Sequence, residues 1–339
     1  MSLFNSVRSV LCCCLILATV ACSFSSRLER ETAIEVEKRL QTELPSLIRY
    51  AEISLASYVR PEEDPSCSSL RQSLPNMKCY AVPVQGTSRS HRAVYVIGSH
   101  QQSQVVAIRG TANFGDGLID LGTERVKDKD LEIEVHQGFL RVARAIFEDI
   151  KQNERLDRTR PIVLTGHSLG GAAAVLVGMF MAGDEAKQYH VHRIYTFGQP
   201  KIFGNEGATA WSAFNSRVFR VVNCSDPVPI VPVSERHLSN IVRMDFFSRN
   251  RLNDYQHLGN SLLLMDRGYF WIFGDNDFER DLSDLVGINL VDVVRGRPHQ
   301  HQMALYREKL KNLESNGVPV RPNPDTPCAS LGDVRIALR

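Results

Sequence analysis

The sequence predicts an α/β fold with a mostly parallel central sheet flanked by helices. Short apolar strands alternate with helical stretches along the chain, which is the pattern of a parallel sheet. The 339 residues are 43% hydrophobic and carry a net charge of +2, as is typical of a compact globular protein. So small a net charge does not indicate a nucleic-acid footprint, and we expect no nucleic-acid partner.

The N-terminus reads as a targeting segment that precedes the folded domain. The apolar run 10–20 is too short for an ordinary transmembrane helix, and Thr19 and Ala21 are small residues at the spacing of a signal-peptidase site before Cys22. Residues 18–22 also resemble a bacterial lipobox, with Thr19 where leucine is usual. We expect a signal peptide over 1–21 and a tether over 22–34. The protein is then exported, either anchored through Cys22 as a lipoprotein or plainly secreted.

The elements of the domain, expected over 35–317, follow in order. Apolar residues at helical spacing predict a helix over 27–60. Two apolar runs separated by a polar turn predict a hairpin of strands 93–97 and 105–109. The segment 111–130 is glycine-rich and charged, and we expect a loop in which 124–130 is solvated.

The second half continues the alternation. The remaining predicted elements are helix 139–150, strand 161–165, helix 171–177, strands 192–197 and 218–223, hairpin 262–265 with 269–273, and helix 302–314. Asn316, Gly317 and Pro319 end that helix, so residues 318–339 are expected to form a C-terminal tail.

A G-x-S-x-G sequence lies between strand 161–165 and helix 171–177. Gly166 and Gly170 let the backbone pass through a crowded strand-to-helix turn, and Ser168 projects at its apex. The N-terminus of the following helix supplies N–H groups where an oxyanion would form. Ser168 is therefore the candidate nucleophile.

A serine nucleophile needs a histidine base and an acid that orients the histidine. Asp226 follows strand 218–223 and begins a proline-rich loop at the carboxyl end of the sheet, where catalytic groups collect. His299 and His301 precede the last helix, and position alone leaves both open as the base. His257 lies in a polar loop and is expected at the surface or in support of the site.

Four cysteines follow Cys22, and Cys67 and Cys79 flank a polar loop, which makes them the best candidates for a disulfide. No group of cysteines and histidines has the spacing of a zinc site, so we expect no metal and no cofactor.

Several segments, taken in order over about residues 44–313, resemble the class 3 (fungal-lipase-like) lipases of the α/β-hydrolase superfamily. The resemblance implies the α/β-hydrolase fold, favours His301 over His299, and places an oxyanion hole at the backbone N–H groups of Thr111 and Leu169. The segments are 106–111, 135–139 (V-H-x-G-F), 164–172, 197–200 (F-G-x-P), 223–232 (N-x-x-D-x-V-P-x-x-P), 255–259 (Y-x-H-x-G) and 301–306 (H-x-M-x-x-Y).

The same resemblance implies a lid after the oxyanion loop, with an apolar face formed by Phe114, Leu118, Ile119 and Leu121. The expected function is a serine carboxylester hydrolase, a triacylglycerol lipase or esterase, whose partners are a lipid or ester substrate and a membrane or lipid surface. The alternatives are a phospholipase A1-type hydrolase and a catalytically silent binding protein of the same fold.

Overall fold

The structure is a computed structural model. It describes residues 38, 40–61, 63–64, 67–68, 76–86, 92–111, 124–183, 189–223, 226, 228–232, 255–264, 269–272 and 298–315. The expected signal peptide and tether (1–34), the lid face and the tail (318–339) lie outside these residues. The chain divides into two compact units, Met1–Ser46 and Leu47–Arg339. In the first, the described residues are helical.

The second unit is built on an eight-stranded sheet. The strands of this sheet are β1 Lys78–Pro83, β2 Arg92–His100, β3 Ser103–Ile108, β6 Ile162–His167, β7 Val191–Phe197, β8 Val218–Asn223, β9 Asn260–Leu264 and β10 Tyr269–Ile272. Two short strands, β4 Arg125–Lys127 and β5 Glu134–His136, form a separate two-stranded ribbon. The order in the large sheet is β1-β2-β3-β6-β7-β8-β9-β10.

The centre of this sheet is parallel and its margins are antiparallel. Strands β3, β6, β7, β8 and β9 pair in parallel, whereas β1, β2 and β3 pair antiparallel, as do β9 and β10. Both expected hairpins are therefore confirmed, and so is the α/β class with a parallel centre. The sequence analysis missed β1, an edge strand whose side chains are mostly half-buried rather than alternating.

Helices accompany the sheet in the part of the chain that the structure describes. They are α1 (40–56, of which 47–56 belong to the second unit), α2 Gln137–Gln152, α3 Leu169–Ala182, α4 Asn205–Ala210 and α5 Met303–Ser315. All residues of α3 from Gly170 to Met181 are buried, so this helix is apolar all round. It packs against α2, where the rings of Phe147 and Phe180 stack with centroids 5.4 Å apart. In the part of the chain described, no helix has the length and hydropathy needed to cross a bilayer.

The charged segment 124–130 is mostly exposed or half-buried, as the sequence predicts, and Asp128 is the exception. It contains β4, and its Asp128 is only 4% exposed. The Asp128 carboxylate accepts hydrogen bonds from the backbone N–H groups of Asp130 and Leu131, at 3.0 Å each, and pairs with Arg144 on α2. A cation on a neighbouring element thus draws this carboxylate inside.

Cys67 and Cys79 form a disulfide with a Cα–Cα distance of 6.2 Å. The bond joins the segment that follows α1 to the edge strand β1, and it agrees with the pairing suggested by the sequence. Cys224 and Cys328 lie outside the described residues.

Candidate active site

Ser168 sits in a strained turn between β6 and α3. Its φ of 58° and ψ of −132° lie in a region that residues other than glycine rarely adopt. The turn can close because Gly166 has no Cβ; a Cβ there would collide with the Gly170 backbone. The hydroxyl of Ser168 makes no capping hydrogen bond to α3. The expected nucleophile thus occupies the apex of the turn, with the start of a helix directly behind it.

The carboxyl end of β3 packs against this turn. A Cβ on Gly170 would collide with the Ile108 carbonyl. A Cβ on Gly110 would lie 3.2 Å from the Ser168 Cβ and 2.5 Å from the His167 carbonyl oxygen. The end of β3, which leads into Thr111, therefore packs against the turn from which Leu169 begins α3.

Asp226 lies just beyond β8, and its carboxylate is fixed by three donors. The Val228 backbone N–H donates to Oδ1 at 2.9 Å. His301 Nδ1 donates to Oδ2 at 2.6 Å, and the Tyr306 hydroxyl donates to the same oxygen. Because Nδ1 carries the proton, the neutral His301 ring presents Nε2 as an acceptor, which is the form that a general base requires.

Tyr306 on α5 holds the acid from behind. The residue is fully buried, and burial together with the nearby Asp226 charge raises its pKa well above the usual value. The hydroxyl therefore keeps its proton and remains a donor to Asp226, while its oxygen accepts from the Asn223 backbone N–H at 3.1 Å. Tyrosine and acid thus lock the end of β8 to α5.

Gly198 brings the serine turn and the acid–histidine pair together. Its φ is +56°, and a Cβ there would lie 2.8 Å from Asp226 Oδ2 and 2.9 Å from His301 Cε1. The preceding residue, Phe197, accepts a hydrogen bond from the Ser168 backbone N–H at 2.9 Å. Consecutive residues at the end of β7 therefore contact Ser168 on one side and the His301–Asp226 pair on the other.

His167, next to the serine, turns away from it and contacts two other parts of the site. Its Nε2 lies 2.7 Å from the His301 carbonyl oxygen, and its Nδ1 lies 2.6 Å from the Tyr58 hydroxyl. Burial, and then the neighbouring His301, lower the pKa of His167 well below the usual value. The sequence places His167 outside the triad but does not predict its partners, because Tyr58 and His301 are 109 and 134 residues away.

His257 is buried, not exposed, and it supports the loop that carries the acid. Its Nε2 donates to the Pro229 carbonyl at 2.7 Å, and Gln199 approaches its Nδ1 at 3.4 Å. Burial, followed by the charges of Arg220 and Lys201, lowers its pKa well below the usual value. Of the two readings that the sequence allowed, the supporting one fits.

Two further expectations bear on ligands. The lid face of Phe114, Leu118, Ile119 and Leu121 lies outside the described residues. Within the residues that are described, no three side chains of histidine, cysteine, aspartate or glutamate converge as a metal site would require.

Known proteins resemble this chain over its central part. Residues 105–235 match the model of the family described as lipase (class 3), a range that includes Thr111, Ser168 and Asp226 but not His301. A secreted mono- and diacylglycerol lipase of Fusarium solani is 27% identical over 154 residues, covering 44% of this chain and 45% of its own length. A lipase of Rhizopus niveus is 27% identical over 201 residues, covering 56% of this chain and 50% of its own length.

The chain thus spans about half the length of these curated relatives. Among solved structures, the lipase of Rhizopus microsporus var. chinensis superposes with a TM-score of 0.51 at 23% identity, over 66% of this chain and 75% of that one. Lipase II from Rhizopus niveus gives a TM-score of 0.51 at 21% identity, over 66% of this chain and 81% of that one. Residues 105–235 are therefore similar to the class 3 lipases, and the chain has the α/β-hydrolase fold of the solved lipases.

Proposed function

We propose that this chain is a serine carboxylester hydrolase, a triacylglycerol lipase or esterase, in which Ser168, His301 and Asp226 form the catalytic triad. The observation that carries the proposal is the contact of Gly198 with His301 and Asp226, next to the hydrogen bond between Phe197 and Ser168. These contacts hold a strained serine and an oriented histidine–carboxylate pair at one end of a parallel sheet, as triad chemistry requires.

In the first half of the proposed reaction, Ser168 Oγ attacks the ester carbonyl carbon while His301 Nε2 takes the hydroxyl proton. Asp226 stabilises the resulting imidazolium through the 2.6 Å hydrogen bond to Nδ1. The carbonyl oxygen becomes an oxyanion, for which we assign the backbone N–H groups of Leu169 and Thr111 as donors. Collapse of the tetrahedral intermediate breaks the ester bond, and His301 returns the proton to the departing alcohol.

In the second half, water replaces the alcohol. His301 Nε2 removes a proton from water, whose oxygen attacks the acyl carbon and forms a second oxyanion at the same donors. Collapse releases the carboxylic acid, and the proton returns to Ser168 Oγ. Atoms balance as ester plus water giving alcohol plus acid, and the proposed reaction draws on no cofactor.

The substrate class is inferred from the relatives. The curated relatives are named as lipases, one of them for mono- and diacylglycerols. We propose that an apolar acyl ester reaches Ser168 from a lipid surface, past a lid that includes Phe114, Leu118, Ile119 and Leu121.

Hydrolysis of short- and long-chain p-nitrophenyl esters, a triacylglycerol emulsion and phospholipid vesicles tests the proposal. We expect Ser168→Ala to lower kcat by about a millionfold, because removal of a triad nucleophile costs that much in a serine hydrolase. Ser261→Ala, at a buried serine of β9, is the matched control and is expected to keep wild-type turnover.

The substrates divide the outcomes. Activity on emulsions and long chains supports a lipase, whereas turnover limited to short chains reduces the function to that of an esterase. Activity on phospholipid alone makes it a phospholipase. If no ester is hydrolysed in a Ser168-dependent manner, the enzyme proposal is wrong.

We also propose that the chain is exported and that Cys22 becomes its lipid-modified N-terminus. The apolar run 10–20 and the small residues before Cys22 support this, and one relative is named as secreted. Mass spectrometry of the mature protein tests it: an unmodified Cys22, or cleavage at another position, would exclude the anchor.

A further inference from the structure

We propose that Tyr58 and His167 form a positioning bridge that fixes the backbone of the catalytic histidine. The bridge joins the end of β3 that leads to Thr111 to the short 3-10 turn Pro298–His301, called the histidine loop below. The inference rests on the proposed ester hydrolysis and adds two residues to it. Neither is assigned a contact with substrate; both act through His301 and Gly110.

The directions of the hydrogen bonds follow from the acceptors. A carbonyl oxygen can only accept, so His167 Nε2 carries the proton in its 2.7 Å contact with the His301 carbonyl. In a neutral ring, Nδ1 is then the acceptor, and the Tyr58 hydroxyl donates to it at 2.6 Å. Burial raises the pKa of Tyr58, so this hydroxyl keeps its proton. Tyr58 thereby selects the tautomer of His167 that can hold His301.

The bridge also contacts the strand that leads to Thr111. A Cβ on Gly110 would lie 2.5 Å from the Tyr58 hydroxyl oxygen and 2.5 Å from the His167 carbonyl oxygen. Any side chain at 110 would therefore push Tyr58 and the serine turn away from β3. The Tyr58 hydroxyl oxygen and the His167 carbonyl oxygen pack against Gly110, the residue before the proposed oxyanion donor Thr111. A displacement of Tyr58 would therefore shift the backbone at Gly110 as well as at His301.

The histidine loop is held from its other side by Asn223. Its Nδ2 donates to the Gln300 carbonyl at 2.8 Å and to Gln300 Oε1 at 3.1 Å. His167 and Asn223 thus bind the carbonyls of two successive residues, 301 and 300, from different strands of the sheet. The helical hydrogen bonds of α5 begin only at the Gln302 carbonyl. Residues Pro298–His301 form a short 3-10 turn before α5, and the two side chains tie this turn to the sheet.

The charge of His167 suits this position. Its ring centroid is 4.4 Å from that of His301, and His301 becomes positively charged when it accepts the serine proton. A second cation at that distance would oppose the proton transfer. A buried, neutral histidine that is a donor at one nitrogen and an acceptor at the other fixes the backbone without adding charge.

Three variants test the bridge by separating its parts. His167→Phe keeps a planar ring but loses the donor, His167→Gln keeps an N–H donor near the position of Nε2, and Tyr58→Phe loses only the hydroxyl. We expect His167→Phe to lower kcat about 100-fold with KM unchanged, because a shift of about 1 Å in a catalytic group costs that much. His167→Gln is expected to restore most of the loss, and Tyr58→Phe to lower kcat by about tenfold.

The controls are His136→Phe and Tyr95→Phe, at a buried histidine and a buried tyrosine outside the site; we expect them to lower the melting temperature without changing kcat. If His167→Phe does not fold, Tyr58→Phe and His167→Gln decide. The bridge is wrong if Tyr58→Phe has wild-type kcat, or if His167→Gln loses as much as His167→Phe. A wild-type enzyme without Ser168-dependent turnover would instead refute the proposed function.

Discussion

Asp226 and Asp149 are two carboxylates with the same kind of partners in different regions of the molecule. Each accepts a hydrogen bond from a tyrosine hydroxyl, Tyr306 for Asp226 and Tyr95 for Asp149. Each also accepts a hydrogen bond from a basic side chain, which is His301 for Asp226 and Arg155 for Asp149. Arg155 reaches both oxygens of Asp149, at 2.6 and 3.1 Å.

The kind of basic side chain and the burial of the carboxylate separate the two regions. The Asp226 side chain is 0% exposed, whereas that of Asp149 on α2 is 17% exposed. Arginine keeps its charge throughout the accessible pH range, so Asp149 and Arg155 form a permanent pair between α2 and the segment that follows it. Tyr95 on β2 joins this pair to the sheet. Histidine gains and loses a proton near neutral pH. The same carboxylate–tyrosine unit is thus a structural clamp beside arginine, and beside histidine it can take part in proton transfer.

The largest expected effect comes from removing the charge of each carboxylate. We expect Asp226→Asn to lower kcat about ten-thousandfold, since an asparagine favours the wrong tautomer of the histidine and no longer stabilises the imidazolium. Asp149→Asn should leave kcat unchanged and lower the free energy of unfolding by about 1–3 kcal/mol. Ester hydrolysis and urea unfolding, both at neutral pH, measure the two effects. If Asp149→Asn lowers kcat as much as Asp226→Asn, the division between clamp and catalytic pair is wrong.

A smaller effect comes from removing the two tyrosine hydroxyls. Tyr306→Phe should lower kcat by about tenfold, because Asp226 loses one donor to a charged oxygen while its bond to His301 remains. Tyr95→Phe should lower stability without changing kcat. Comparison of the kcat values of the two variants then measures how much the Tyr306 hydroxyl contributes to catalysis. A wild-type kcat in Tyr306→Phe would show that His301 and Val228 hold the acid without help.

The sequence could reveal the parts of the site that depend on local order. Ser168 is marked by its own glycines, and Asp226 by the strand before it and the prolines after it. His299 and His301 could not be separated by position, because the direction of a side chain in a short turn depends on what packs against it, here Gly198, Asp226 and His167. Tyr58 and His167 are 109 residues apart, so their contact exists only once the sheet is folded.

The fold shows the same limit. A strand with a continuous apolar run, such as 162–164 in β6, can be predicted from the sequence, since burial on both faces leaves an unbroken hydrophobic pattern. The edge strand β1 is half-buried and mixed in polarity, and its pairing with β2 is a tertiary contact. Asp128 was taken as solvated because the charge pattern around it is dense. Its partner Arg144 is 16 residues away.

The smallest expected effect is the pH dependence of the Asp149 clamp. Burial by itself raises the pKa of Asp149, but hydrogen bonds from Arg155 and Tyr95 outweigh it and leave the pKa below its usual value. A carboxylate with a lowered pKa stabilises the fold above its unfolded pKa of about 4, and this contribution is lost as the pH falls through the folded value. The stability difference between wild type and Asp149→Asn should therefore be constant from about pH 7 to pH 5 and shrink below about pH 4.

Urea unfolding of both proteins at several pH values measures this difference, and Glu148→Gln, at a neighbouring carboxylate of the same helix, is the control. If the stability difference from wild type shrinks at low pH for Asp149→Asn but not for Glu148→Gln, the Asp149–Arg155 pair accounts for part of the acid sensitivity of the fold. A difference that stays constant down to about pH 3 would mean that protonation does not break the pair. The pKa of Asp149 would then be the same in the folded and unfolded protein, and the charged arginine would hold a neutral carboxyl group as well as it holds a carboxylate.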